Sequence, residues 1–317
     1  MELRQLKYFI AIIESGSFSK AAIESHVVQS ALSQQIAALE TELEVQLLVR
    51  SAQGVTPTTA GQLFYQHAQH LLRQVEHAKT LVRASDGKPS GRVTIGLPTS
   101  TAATLSLPLL EACLALYPGI QLHLMEGLSR QMHQALINGK ADMVIQFSGQ
   151  PEHGLRARRL LTEELFVVSA NQANGPAPEV GAITLCGLRD MPLLLPERGN
   201  GLRDLVEAQL AALGVAVTPV AELGSLTTMI EAAEQGIGAT LLPMGAFHRQ
   251  YRAGTLRADR IENLSIMRGL MLCVSETLPL TEAAQALHGL IIRVVNDLVH
   301  QGVWKEAELA EDATNCR

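Results

Sequence analysis

Aromatic residues make up only 3% of this 317-residue chain, so any core must be built from Ala, Leu, Val and Ile. Cysteine is nearly absent: Cys113, Cys186, Cys273 and Cys316 are scattered without paired spacing. That pattern argues against a disulfide scaffold or a zinc site and fits reduced thiols. No apolar run reaches the roughly 20 residues that span a bilayer. Glu2, Arg4 and Lys7 sit in an amphipathic pattern with no signal-peptide core, so a cytoplasmic protein without membrane contact is expected. A basic excess is missing too. Net charge is −6, and residues 1–90 hold eight basic and eight acidic residues against 17 and 23 in the remainder. Catalytic motifs are also missing. Gly236-Ile237-Gly238 and Gly199-Asn200-Gly201 each lack the third glycine of a dinucleotide loop, and there is no Gly-x-Ser-x-Gly, Walker loop or His-Glu-x-x-His. Glu126 and Asp142 have no evident acid/base partner. The chain reads as a non-enzyme with no cofactor or metal.

What is present divides into three patterns. Residues 1–57 hold short helical stretches and end in the turn-rich Ser51-Ala52-Gln53-Gly54-Val55-Thr56-Pro57. Residues 58–86 form one long helical pattern, and Gly87, Pro89 and Gly91 break it. From Arg92 onward, strand-like runs (Val93–Gly96, Gln121–Met125, Met143–Gln146) alternate with helical ones (Leu105–Leu116, Met132–Ile137). That rhythm predicts an α/β region with a largely parallel sheet. No internal repeat is visible. The polar, acidic residues 301–317 read as a poorly ordered tail.

In the first segment Leu3, Leu6, Phe9, Ile10 and Ile13 give a helix with one apolar face, ended by Gly16. Ser17 or Ser19 can cap a second helix carrying Lys20, Ala21 and Ala22. After a turn near His26–Val28, a third helix runs from about Gln29 to Leu43. Leu32, Ile36, Leu39 and Leu43 share one narrow arc. Gln29, Ser30, Ser33, Gln34, Ala37 and Thr41 share another, which ends at Glu40. Small polar side chains near a helix N-terminus suit a DNA major groove, where Gln bonds adenine bidentately and Ser reaches phosphate or base edges. Periodicity alone leaves a solvated helix equally open.

The ordered set Gly16-Ser17-Phe18-Ser19-Lys20-Ala21-Ala22, Gln29-Ser30-Ala31-Leu32-Ser33-Gln34-Gln35-Ile36, Leu39-Glu40, Leu47-Leu48-Val49-Arg50 and Thr56-Pro57-Thr58-Thr59-Ala60-Gly61 resembles the LysR-type transcriptional regulators. Within that family it looks most like the nitrogen assimilation control branch. The resemblance implies an N-terminal all-α winged helix-turn-helix (residues 1–58) and a linker and dimerisation helix (59–90). An α/β regulatory domain (91–300) follows, its two Rossmann-like subdomains resembling periplasmic binding proteins. Subdomain I takes about 91–162 and 267–300, and subdomain II about 163–266. The resemblance implies DNA contacts by Ser17, Ser19, Lys20, Gln29, Ser30, Ser33, Gln34, Arg50, Gln53, Thr56 and Thr58. The family commonly has Pro at Ser30, Phe at Leu48, and often a basic residue at Gln34 and near Gln53. Here the last two are neutral, which leaves Arg4, Lys7, Lys20 and Arg50 as the only cations in the first 60 residues. Counterion release should therefore be modest, and affinity should depend on engaging several half-sites at once.

Along the long helix Phe64, Ala68, Leu71, Val75, Ala78 and Val82 are spaced 4, 3, 4, 3, 4, a heptad seam. A helix of this length, about 42 Å, cannot bury its stripe on the small N-terminal unit alone. The seam favours pairing with a second copy over packing on the C-terminal region. Two paired copies would place their reading helices about one DNA turn, or a multiple, apart. His67, His70 and His77 lie on the same stretch, but no further ligand of site spacing accompanies them.

In the C-terminal region Gly96-Leu97-Pro98-Thr99-Ser100-Thr101 joins a strand to a helix start. Glu126-Gly127-Leu128-Ser129, with Leu136, Gly139, Asp142 and Ile145, fits the next unit. Glu222-Leu223-Gly224-Ser225, Gly236-Ile237-Gly238 and Leu241-Leu242-Pro243 fit a later one. The chain should cross to the second subdomain near Leu161–Phe166 and return near Met267–Val274. Thr99, Ser100 and Thr101 sit where free helix N–H groups suit a small anion. With Gln146, Pro196, Gly199, Ser225 and Thr227 they are the candidate effector-binding residues. For any single Ser or Thr a plain cap is the commoner role; the resemblance implies the cleft. The resulting expectation is a DNA-binding transcription regulator with promoter DNA, a second copy of itself and RNA polymerase (if it activates) as partners. A small organic-acid-like effector completes the list. The alternative is a solute-binding protein with a helical appendage.

Overall fold

A computed structural model describes residues 1–83, 88–147, 154–172, 175, 178–276 and 279–310. Three helices open the chain: α1 (Leu3–Ser15), α2 (Phe18–Glu24) and α3 (Gln29–Leu43). Gly16 stops α1 in the left-handed region at φ 65°, which a residue without Cβ adopts freely. Ser17 takes the N-cap position of α2, without a side-chain cap bond. Leu32, Ile36 and Leu39 of α3 bury against Leu6, Phe9 and Ile12 of α1 and Ala21 of α2. Strands β1 (Leu48–Ser51) and β2 (Gly54–Pro57) pair antiparallel as the wing. Three inward bonds fix it. Val55 N–H donates to Gly16 O at 2.9 Å, and Glu40 Oε1 accepts from Leu47 N–H at 2.8 Å and Leu48 N–H at 3.1 Å. Glu40 is therefore a brace for the wing and not the edge of the polar arc.

Helix α4 (Thr59–Arg83) follows, about 37 Å long for its 25 residues. Its stripe is divided between surroundings. Phe64 and Ala68, expected in a dimer seam, pack instead inside the protomer. The Phe64 ring lies 5.2 Å from Phe9 edge-on, and Ala68 is fully buried with α1. Gln69, Leu72 and Arg73 face the C-terminal region. Leu63 and Leu71 stay open, at 59% and 43% exposure. Val75 is half-buried and Ala78 exposed, and the side chains of Val82 and His77 lie outside the described residues.

The remaining elements, in chain order, are β3 (Gly91–Pro98), α5 (Thr99–Leu116), β4 (Ile120–Gly127), α6 (Ser129–Ile137), β5 (Met143–Phe147), β6 (Leu155–Ala170), β7 (Gly181–Ile183), α7 (Leu185–Asp190), β8 (Leu194–Pro196), α8 (Gly201–Ala212), β9 (Ala221–Leu223), α9 (Leu226–Glu234), β10 (Thr240–Pro243), α10 (Met244–Ala253), β11 (Leu256–Ile261), β12 (Ile266–Ser275), α11 (Glu282–His300) and β13 (Ala307–Leu309). The main sheet runs β4-β3-β5-β12-β6-β11-β7, and β10 and β13 also pair with β6. Parallel pairing holds for β3 with β4 and β5, and for β11 with β7. The expectation of a largely parallel sheet is corrected at its centre. There β12 runs antiparallel to β5 and, from Ile266↔Leu165 to Ser275↔Leu155, to β6. The chain leaves one core on β6 and returns on its neighbour β12, so the two must run in opposite directions. Val93, Ile95, Leu105 and Leu287 belong to the first core, and Phe166, Leu194, Leu210 and Phe247 to the second.

Helix α5 is long and apolar enough to cross a membrane by length and composition alone; Leu105, Leu109 and Cys113 are fully buried in the first core, while Leu107, Leu114 and Leu116 are exposed. One further expectation changes. The segment 301–310 is not a loose tail. Trp304 is 1% exposed, and β13 pairs with β6 through Ala307↔Glu163. Residues 311–317 lie outside the described residues.

Candidate functional site

The polar face of α3 is set by its apolar one. With Leu32, Ile36 and Leu39 turned into the core, Gln29, Ser30 and Gln34 are exposed and Ser33 is half-exposed. The N-cap is Val28, which has no side-chain acceptor; its carbonyl takes the Ala31 N–H at 3.1 Å, and no side chain caps the Gln29 and Ser30 N–H groups ahead of it, which suits an incoming oxygen such as a phosphate. Exposed Ser19 and Lys20 open α2, with half-buried Ser17 before them. The wing presents Arg50, Gln53 and Thr56 to solvent. The Arg50 guanidinium lies 3.9 Å from the centre of the Phe18 ring, a cation–π contact that joins the wing to the start of α2. One expected DNA contact is corrected. Thr58 donates its hydroxyl to Gln46 O at 2.8 Å and accepts from Gly61 N–H at 2.9 Å, so it caps α4. Gly61 is forced by crowding, since a Cβ there would lie 1.9 Å from Leu47 O.

A cleft separates the two cores of the C-terminal region. Thr99 and Ser100 of α5, Ser129 of α6 and Phe147 of β5 face Pro196 and Asn200 across it. Asn200 caps α8, accepting from Leu202 N–H at 3.0 Å. The cavity measures about 40 Å³, far below the roughly 300–1,000 Å³ of small-molecule sites.

Several expected residues lie elsewhere. Thr101 is buried at 1% exposure beneath the helix start. Gln146 faces the opposite side of β5, 2.9 Å from His133 Nδ1, because alternation sends Phe147 to the cleft and Gln146 away from it. Gly199 is exposed in the loop, and a Cβ there would meet nothing within 4 Å. Ser225 caps α9, accepting from Thr228 N–H at 3.3 Å, and Thr227 is exposed outside the cleft lining.

The floor of the cleft holds groups that residue spacing does not reveal. Arg268 of β12 is buried, with Nη2 2.6 Å from Glu163 Oε1 and 3.0 Å from Ser100 Oγ. Its guanidinium lies 3.9 Å from the centre of the Phe147 ring. Burial pulls the guanidinium below its ordinary pKa, opposed by the Glu163 charge. Arginine can only donate, so Ser100 accepts and keeps its own hydrogen for another acceptor. Arg268 Nη1 is buried and unpartnered among the described residues. Trp304, the only tryptophan, donates to Glu163 Oε2 at 2.8 Å and is the one sequence signal that the C-terminal segment packs here.

A helix-turn-helix with a wing, a long helix and a cleft between two cores is the geometry that two family models share out along this chain. "Bacterial regulatory helix-turn-helix protein, lysR family" matches residues 3–62, and "LysR substrate binding domain" matches residues 86–296. The chain belongs to the LysR family. As a LysR-type regulator it binds DNA through the N-terminal unit and carries the family's effector-binding domain. It is similar to the nitrogen assimilation regulatory protein nac of Escherichia coli, at 35% identity over 94% of this chain and 97% of that protein. Nac of Klebsiella aerogenes is 34% identical over 93% and 96%. In fold it resembles a full-length OxyR variant from Pseudomonas aeruginosa, with TM-score 0.70 and 22% identity over 98% of both chains. It also resembles full-length CbnR in complex with its target DNA, with TM-score 0.63 and 22% identity over 94% and 99%. The helix-turn-helix match sets aside the reading as a solute-binding protein.

Proposed function

We propose that this LysR-type regulator binds double-stranded promoter DNA as a dimer or tetramer and reads an interrupted palindrome. The N-terminal half of α3 lies in the major groove in this reading, and the wing lies along the flanking backbone. The observation that carries it is the exposed, neutral-polar arc of Gln29, Ser30, Ser33 and Gln34 beside the open N-terminus of α3. In this reading Gln34 reads a base, and Arg50, Lys20 and Ser19 hold phosphates. Leu71 and Ala78 of α4, with Leu63, supply the apolar contact between copies. The protein works in the cytoplasm, catalyses no reaction, and touches RNA polymerase where it activates.

A small organic anion in the cleft tunes this activity. Support comes from Ser100, whose hydrogen is free to donate, and from the buried positive charge of Arg268 behind it. A 40 Å³ cavity holds no such molecule, so entry requires the two cores to part about β6 and β12. Binding and opening are then linked.

The test is a gel-shift of full-length protein on the promoter beside its own gene, with and without candidate organic acids. Retarded complexes at nanomolar protein support the reading. A folded protein that retards no promoter DNA overturns it.

A further inference from the structure

A second, larger cavity lies away from the cleft, where the DNA-binding unit rests on the first core of the C-terminal region. Its volume is about 890 Å³, within the roughly 300–1,000 Å³ of small-molecule sites. One wall comes from α1 and α4 and includes Ile10 and Leu72. The other comes from β3, β4 and the turn after α6 and includes Arg92, His123 and Met125.

Two ion pairs tie the walls together. Lys140 Nζ lies 2.9 Å from Glu14 Oε1, and Arg73 Nη1 lies 3.3 Å from Asp142 Oδ1. Each carboxylate is thus matched to one cation, and each also accepts a further hydrogen bond. Tyr65 donates to Glu14 at 2.9 Å, and Thr94 N–H to Asp142 Oδ2 at 2.8 Å. Gly139, at φ 69°, makes the approach possible, since a Cβ there would lie 2.8 Å from the His70 ring and 2.9 Å from Arg73 Nη2.

Three cations line this cavity, Arg73, Arg92 and Lys140, against the two carboxylates. Arg92 is the remainder. Among the described residues no carboxylate pairs with it, and its Nη2 lies 3.0 Å from His123 Nδ1. A guanidinium only donates, so Nδ1 accepts and the imidazole hydrogen sits on Nε2. The Thr94 hydroxyl also lies 3.3 Å from His123 Nδ1, so the Arg92 N–H groups not spent on Nδ1 and the His123 Nε2–H are the donors this wall offers, beside the apolar Ile10, Leu72 and Met125.

We propose that this junction binds a small amphipathic organic anion, its charged group on Arg92 and His123 and its apolar body against Ile10, Leu72 and Met125. The site exists only while both walls are docked. Its occupant therefore favours the docked position of the DNA-binding unit and couples a metabolite to the posture of the reading helix.

The probe is 8-anilino-1-naphthalenesulfonate, which joins an anionic group to an apolar body and brightens on leaving water. Full-length protein should bind it saturably. Arg92→Gln combined with His123→Gln should weaken binding roughly tenfold or more, the loss of about one charge-assisted hydrogen bond. Glu14→Lys, which sets like charges face to face across the junction, should weaken it similarly, and the swap Glu14→Lys with Lys140→Glu should restore it. Arg189→Gln, an exposed cation on α7 away from the cavity, should change nothing. Thermal melts confirm that each variant is folded. Unsaturable binding, unchanged affinity in the Arg92 and His123 variant, or equal loss in Arg189→Gln would each overturn the proposal.

Discussion

Trp304 donates its indole N–H to Glu163 at 2.8 Å, and thereby joins the C-terminal segment to the strand that carries the chain between the two cores. Glu163 in turn holds Arg268, and the two side chains are 3% and 1% exposed. Removing one partner of such a pair strands a buried charge, at a cost of about 3–5 kcal/mol. Glu163→Gln should therefore lose that much in urea unfolding followed by circular dichroism. Trp304→Phe keeps most of the apolar volume but leaves Glu163 one donor short, and should lose about 1–3 kcal/mol. Equal effects from the two variants would contradict the hierarchy.

His70 responds to acid. Burial, then the neighbouring Arg73 and His67 charges, pull it from 6.5 to about 4. The unfolded chain takes up a proton that the folded chain refuses. The stability contributed by neutral His70 is thus fully present above pH 6.5 and is lost as pH falls toward 4. His248 and His288 shift in the same direction, so the informative quantity is the difference between wild type and His70→Gln. The variant should lose less stability between those two pH values.

On DNA, Gln34→Ala should relax base preference by about 1–3 kcal/mol of discrimination at one position per half-site. Arg50→Ala should weaken binding to all sequences alike and lower the salt slope by about one per subunit. Competition binding against a panel of single-base variants separates the two outcomes. An unchanged preferred site in Gln34→Ala would mean that another face of α3 reads the bases.

Gly61→Ala tests how the wing is seated. The new methyl would meet Leu47 O at 1.9 Å, so either the wing or the start of α4 must move. Overpacking of this kind costs about 1–3 kcal/mol or more. The melting temperature should fall, and DNA affinity should fall with it.

Leu71→Glu should convert the oligomer to a monomer in sedimentation velocity, since Leu71 is 43% exposed on a helix whose Phe64 and Ala68 are already packed on α1. Phe64→Ala, by contrast, should destabilise the fold by about 3–5 kcal/mol.

Much of the N-terminal unit was legible in residue spacing. Leu32, Ile36 and Leu39 fix the core side of α3, and the open polar side follows from geometry. The seam of α4 was read less well, because a heptad pattern says that a stripe is apolar and not which neighbour covers it. In the C-terminal region strand alternation turns Gln146 from the cleft and puts Phe147 there, a one-residue difference that the apolar run Met143–Gln146 does not reveal. Strand direction was invisible, since burial on both faces hides whether a strand runs with or against its neighbour. Glu163 and Arg268 stand 105 positions apart, and no local pattern links them. The polar composition after residue 300 hid an ordered segment.

The most direct test is selection of binding sites from random DNA by the full-length protein. The account predicts an enriched interrupted palindrome whose half-sites lie about one helical turn, or a multiple, apart. Enrichment of a single half-site without dyad symmetry, or no enriched sequence from a folded oligomer, would contradict it.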